Sequence, residues 1–318
     1  MVADPHGNFL FGESSNLSAQ SGHSNTYFSY AVAANGALTQ AATAAPLSEP
    51  GANVQPAYLG WLNTDRSGST LYGLQLEASG NAWVGAYHIG SDGTLTGAQA
   101  SSGAGQTEIS FTPDDRFGYV ARRYRTDGFI WEYSRNGDGT LTVDPRSQTG
   151  LIWSPPPGSK ATTPDYLQVS PTGNYEAVIF LDTANANGQS GVAVYPINSD
   201  GTLGASTPLL VFSPPQKYQA ILTWDTSGTY IFISYFGGIA TYRYDAGTGQ
   251  LIPIEAELNG GTPPTDMAFF NGHLFAINYD SPYLFIYNFN SATQPLTASS
   301  SSQIALGFNP TSVAALQH

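Results

Sequence analysis

The 318-residue chain has 35 Gly, 21 Pro, 16 Phe, 19 Tyr and 5 Trp, and only 10% charged residues. That composition argues against a helical protein and excludes a disordered acidic chain, which would lack aromatics. A net charge of −13 with two lysines, Lys160 and Lys217, removes the basic face that nucleic acid or an anionic membrane surface needs. The absence of cysteine removes disulfides, thiolate metal sites and a Cys nucleophile.

In chain order, Asp4-Pro5-His6-Gly7-Asn8-Phe9-Leu10-Phe11 reads as a turn and the strand after it, so the chain begins part-way into a unit. A short phrase then recurs. Its tight copies are Ser91-Asp92-Gly93-Thr94-Leu95-Thr96, Gly137-Asp138-Gly139-Thr140-Leu141-Thr142 and Ser199-Asp200-Gly201-Thr202-Leu203-Gly204. Looser copies end on Leu38, Leu251 and Leu296. Alternating aromatic strands precede the copies: Trp83–Ile89, Phe129–Tyr133, Val192–Ile197, Ile239–Tyr244 and Leu284–Phe289. Period-two alternation followed by Asp-Gly predicts a strand running into a tight hairpin at positive φ. Upstream lies a second phrase, strand, Pro/Asp-x-Gly turn, strand, as in Leu167-Gln168-Val169-Ser170-Pro171-Thr172-Gly173-Asn174-Tyr175. Each unit is therefore four antiparallel strands, the blade of a β-propeller.

Six units use the whole chain, so the expectation is an all-β fold, a single β-propeller domain over 1–318. A sandwich or a β-helix is the competing architecture, but neither explains six copies of one blade-sized phrase. The C-terminal run Asn309–Leu316 reads as a first strand, and the ring is expected to close by pairing of N- and C-terminal strands in one blade. No apolar run reaches the ~18 residues of a membrane-spanning helix. The N-terminus does not read as a signal peptide. The Lys-poor, Ser/Thr/Asn/Gly-rich surface points to an extracytoplasmic, periplasmic or secreted, protein, expected to be monomeric.

The phrases Ser-Pro-x-Gly-x-Tyr (170–175, with Thr172 and Asn174) and Ser-Asp-Gly-Thr-Leu-Thr (91–96) resemble the lactonase-type β-propellers, a family of 6-phosphogluconolactonase-like proteins and fungal muconolactone enzymes. The resemblance runs repeat by repeat over nearly the whole chain. It implies a propeller, usually seven-bladed where six units are counted here, and hydrolysis of a small lactone. Enzymatic members carry a Gly-Pro-Arg-His-like stretch leading into an inner strand. The matching position here, Ala104-Gly105-Gln106-Thr107-Glu108-Ile109, has neither Arg nor His.

Propellers bind ligands at one mouth of a central channel, lined by loops before each first strand and after each second strand. Lactone opening needs a base for water and a cation or donor for the oxyanion. Glu13 or Glu108 is the candidate base and Arg122 or Arg123 the oxyanion partner. His23, Asp165, Asp182, Tyr235, Asp266 and Asn278 complete the candidate substrate-binding set. Arg122-Arg123-Tyr124-Arg125 is the only basic cluster, which disfavours a phosphosugar. No motif calls for a cofactor, and scattered histidines and the Asn136-Gly137-Asp138-Gly139 turn give no metal site. Trp61, Trp83, Trp131, Trp153 and Trp224 can serve as carbohydrate platforms; Trp83, Trp131 and Trp224 fall inside strands and read as packing, and Trp153, before Pro155, is the best exposed candidate. The alternative to an enzyme is a non-catalytic binding propeller for a glycan or protein partner.

Overall fold

The computed structural model describes the chain except residues 15–24, 52–54, 78–80, 104–106, 108, 123–127, 150–155, 158–162, 182–189, 213–219, 236–237, 256–262, 291–295, 308–309, 311 and 314–318. It is all-β, with six four-stranded antiparallel blades, each built from four consecutive strands. Blade 1 comprises β1 (Val2–Ala3), β2 (Phe9–Ser14), β3 (Thr26–Val32) and β4 (Leu38–Ala44). Blade 2 comprises β5 (Tyr58–Thr64), β6 (Thr70–Leu76), β7 (Ala82–Ile89) and β8 (Leu95–Ser102). Blade 3 holds β9 (Ser110–Phe111), β10 (Phe117–Arg122), β11 (Phe129–Arg135) and β12 (Leu141–Val143), followed by a 3-10 turn at Pro145–Thr149. Blade 4 holds β13 (Thr163–Val169), β14 (Tyr175–Leu181), β15 (Gly191–Pro196) and β16 (Leu210–Val211). Blade 5 is β17 (Ile221–Trp224), β18 (Tyr230–Tyr235), β19 (Gly238–Asp245) and β20 (Gln250–Glu255). Blade 6 is β21 (Asp266–Phe270), β22 (His273–Ile277), β23 (Tyr283–Asn288) and β24 (Thr297–Ala305).

The six-blade count matches the repeat; of the segment expected to close the ring, residues 309, 311 and 314–316 lie outside the described residues. The first strand of blade 1 is Val2–Ala3, pairing Val2 with Phe11 and Ala3 with Leu10. Within 309–316, the described residues Pro310, Ser312 and Val313 are not in a strand. So short a strand as Val2–Ala3 carries no alternation to read. The segment at Val313 is instead tied to blade 6, donating its N–H to Asp266 at 2.8 Å.

The chain divides into two compact units, one carrying blades 1–3 and the other blades 4–6. In the first unit, Phe11, Tyr27, Leu59, Leu62, Leu71 and Tyr87 form one core where blades 1 and 2 meet. Tyr72, Leu74, Phe111, Val120, Trp131 and Tyr133 form another between blades 2 and 3. The second unit has one core through all three of its blades, including Tyr166, Ile179, Trp224, Phe232, Leu274 and Phe289. The strand tryptophans Trp83, Trp131 and Trp224 are buried, as packing residues should be.

Local chemistry explains both repeated phrases. In the Asp-Gly-Thr-Leu phrase the Asp carboxylate accepts from the Thr main-chain N–H and hydroxyl, at 3.0 and 2.8 Å for Asp92–Thr94 and 3.0 and 2.6 Å for Asp138–Thr140. The glycine sits at φ 83° (Gly93) and 84° (Gly139), and Leu95, Leu141 and Leu203 are buried. In the upstream phrase a short polar side chain closes the turn: Asp65 accepts from Ser69 and Thr70, and Asp225 from Ser227, Thr229 and Tyr230. Such side-chain-to-backbone bonds replace the main-chain pairing lost at the turn.

Candidate functional site

Sequence-predicted positions cluster where first strands begin and second strands end. Blade 6 brings two of them together. Asp266 opens β21 opposite Ile277, and Asn278 follows at the end of β22. Asn278 is buried, donates to the Pro263 carbonyl and accepts from the Asp280 N–H at 2.7 Å, so it shapes the loop. Thr265 fixes the same corner: its N–H donates to the Ile277 carbonyl and its hydroxyl accepts from the Tyr279 N–H. Tyr235 ends β18 in blade 5, opposite Gly238. Its neighbour Ser234 donates to the Pro264 carbonyl at 2.6 Å, joining this end of blade 5 to the segment that leads into β21.

Asp266 stands out chemically. One carboxylate oxygen accepts from the Met267 N–H at 2.9 Å, the other from the Val313 N–H at 2.8 Å. Burial pushes its carboxyl up to about 6, against the opposing pull of those two N–H groups. A carboxylate so tuned, and oriented by main chain at both oxygens, is suited to taking a proton near neutral pH. Val313 was missed from the sequence because it lies 47 residues from Asp266; no local spacing links the two.

The other predicted positions are dispersed. Glu13 is a half-buried residue near the end of β2, opposite Tyr27. Arg122 ends β10 opposite Phe129 in blade 3. Glu13 and Arg122 thus belong to different blades. Asp165 is the extra residue of a β-bulge between Pro164 and Tyr166 and is buried, 5% exposed. His23, Glu108, Arg123 and Asp182 lie outside the described residues, as does Trp153. No group of three or more His, Cys, Asp or Glu able to hold a metal occurs among the described residues.

Beside Glu13 runs a buried polar chain. The Gln75 amide donates to the hydroxyls of Tyr27 (3.2 Å) and Tyr87 (2.8 Å) and accepts from the Trp83 indole at 2.5 Å. Trp83 also donates to the Leu47 carbonyl and Tyr87 to that of Ala45. Burial pushes the Tyr27 phenol well above its ordinary value, with Tyr87 and Glu13 adding to the rise. A Cβ at Gly73 would stand 2.5 Å from the Tyr27 hydroxyl, so only glycine leaves room for that ring. The network is fully internal and joins blade 1 to blade 2.

No family model and no curated protein sequence matches the chain. Solved structures do. A candidate 6-phosphogluconolactonase from Bacteroides uniformis is 17% identical with a TM-score of 0.73, covering 98% of this chain and 86% of its own. The periplasmic gluconolactonase PpgL of Pseudomonas aeruginosa is 17% identical with a TM-score of 0.71, covering 98% and 85%. A candidate 6-phosphogluconolactonase from Bacteroides fragilis gives 17% and 0.68, covering 98% and 84%. At these identities the likeness is one of fold, and the fold of this chain is that of the lactonase-type β-propellers, in six four-stranded blades.

Proposed function

We propose that the protein hydrolyses a small lactone, with Asp266 as the general base. The reading rests on one observation above the fold likeness: a half-buried carboxylate at a strand end, fixed by two main-chain donors and raised to about 6. In the reaction the carboxylate draws a proton from water as its oxygen bonds to the lactone carbonyl carbon. The tetrahedral intermediate then expels the ring oxygen, which takes up a proton, leaving the open hydroxy acid. Gluconolactones are the first substrates to try because they are what the fold's relatives are described as handling. An extracytoplasmic location is part of the same proposal and is supported by the periplasmic relative. Among the described residues, no helix is long and apolar enough to cross a membrane.

The test is a lactone panel assayed with the wild type, Asp266→Asn, Glu108→Gln and Arg122→Ala. The expected result is a kcat for Asp266→Asn about 10²- to 10⁴-fold below wild type. The wild-type kcat/KM should rise with pH through a midpoint near the raised Asp266 value. Full activity in Asp266→Asn overturns the assignment. Loss confined to Glu108→Gln moves the base to the loop before β9. A wild type inert on every lactone ends the hydrolase reading.

A further inference from the structure

Trp61 is placed against every local preference. In β5 the register runs Tyr58 to Leu76, Leu59 to Gln75 and Gly60 to Leu74, then skips to Leu62 opposite Gly73. Trp61 is the extra residue of a β-bulge. Without it, strict alternation would put residue 61 on the core side with Leu59 and turn Leu62 away. With it, Leu59 (5% exposed) and Leu62 (4%) both enter the core, and the larger apolar side chain is expelled, 40% exposed. The expulsion requires φ +34° at Trp61, a conformation that a bulky aromatic rarely adopts and that glycine adopts freely. Among the described residues no hydrogen bond and no ring contact holds the indole. Bulges commonly re-aim a side chain next to a binding site, and a strained residue that costs burial energy needs a use.

We propose that Trp61 is a stacking platform for the apolar face of a saccharide ring. The segment Tyr58–Thr64 that carries it contains no charged residue. A single exposed ring between two buried leucines is far smaller than the roughly 800 Å² that each partner contributes to a protein interface. It matches one pyranose ring, whose axial C–H groups lie on the flat indole while the indole N–H remains free to bond a hydroxyl. The inference stands apart from the hydrolase reading: it concerns binding in the first unit and requires no turnover.

The test titrates methyl β-glucopyranoside and gluconolactone into the wild type, Trp61→Gly, Trp61→Phe and Asp266→Asn, by calorimetry, with melting curves for each. Wild type and Asp266→Asn should bind the glucoside alike, whatever becomes of lactone turnover. Trp61→Phe should keep most of the affinity and Trp61→Gly lose about tenfold or more. The melting curves check that each variant is folded before its affinity is read. Unchanged affinity in Trp61→Gly, or absence of saccharide binding by the wild type, overturns the proposal.

Discussion

At the scale of single residues, the buried polar groups are joined in ways that constrain substitution more than charge alone suggests. Gln75 is fully buried and occupies three partners at once. Trp83 and Tyr87 each keep a main-chain acceptor of their own, but the Tyr27 hydroxyl depends on Gln75. Truncation to Gln75→Ala should therefore cost about 2–4 kcal/mol, a cavity term plus one stranded hydroxyl. Urea unfolding measures it, and adding Tyr27→Phe to Gln75→Ala should recover part of the loss. If the two substitutions cost independent amounts, the hydroxyl is not stranded and the assignment of the network is wrong. None of this was legible beforehand. Gln75 belongs to no motif in the sequence, and its partners come from β3 and β7, up to 48 positions away. Asp266 was named from its position in the repeat, but the main-chain donor at Val313 that orients it was not, because it comes from a segment read as a strand.

At the scale of the element, the repeat phrases were readable because everything that makes them work lies within six residues. The Asp-Gly turn supplies its own acceptor, its own positive φ and its own buried leucine, and these properties survive without knowledge of the neighbours. The first strands were harder to read. The bulges at Trp61 and Asp165 reverse the expected inside–outside order, and only pairing with the next strand reveals them. What the turn phrase does not disclose is that its glycine is also a packing surface. A Cβ at Gly93 would lie 2.6 Å from the Phe9 ring of blade 1, whereas one at Gly249, also at positive φ (66°), would meet nothing. Gly249→Ala should thus cost only the backbone strain, about 1 kcal/mol. Gly93→Ala should cost about 2–4 kcal/mol because Phe9 must move as well. Equal losses in thermal or chemical unfolding would show that the hairpin of blade 2 does not bear on blade 1.

At the scale of the whole molecule, acidity sets the pH at which the fold is strongest. The carboxylates divide into two groups with opposite linkage. Burial works to raise Asp65, but Ser69, Thr70 and the Arg135 guanidinium outweigh it and hold the carboxyl below its ordinary range. The same balance holds for Asp114, through Thr112 and Arg116. Their contribution is complete above the ordinary carboxylate range and is lost as pH falls through it. Asp266, raised by burial to about 6, and Asp115, also raised by burial, act the other way. The native state binds their protons more tightly than the unfolded chain does, so stability falls as pH climbs from about 4 to 6. For Asp266 the full cost of ionisation at pH 7 is about 3 kcal/mol. Self-repulsion from a net charge of −13 grows in the same direction. The stability maximum should accordingly lie between about pH 4 and 5, acid of neutral. Urea midpoints at dilute protein, measured from pH 4 to 8, will locate it. A maximum at pH 7 or above would mean that Asp266 is not protonated in this range, and the general-base assignment would lose its physical basis along with the stability argument.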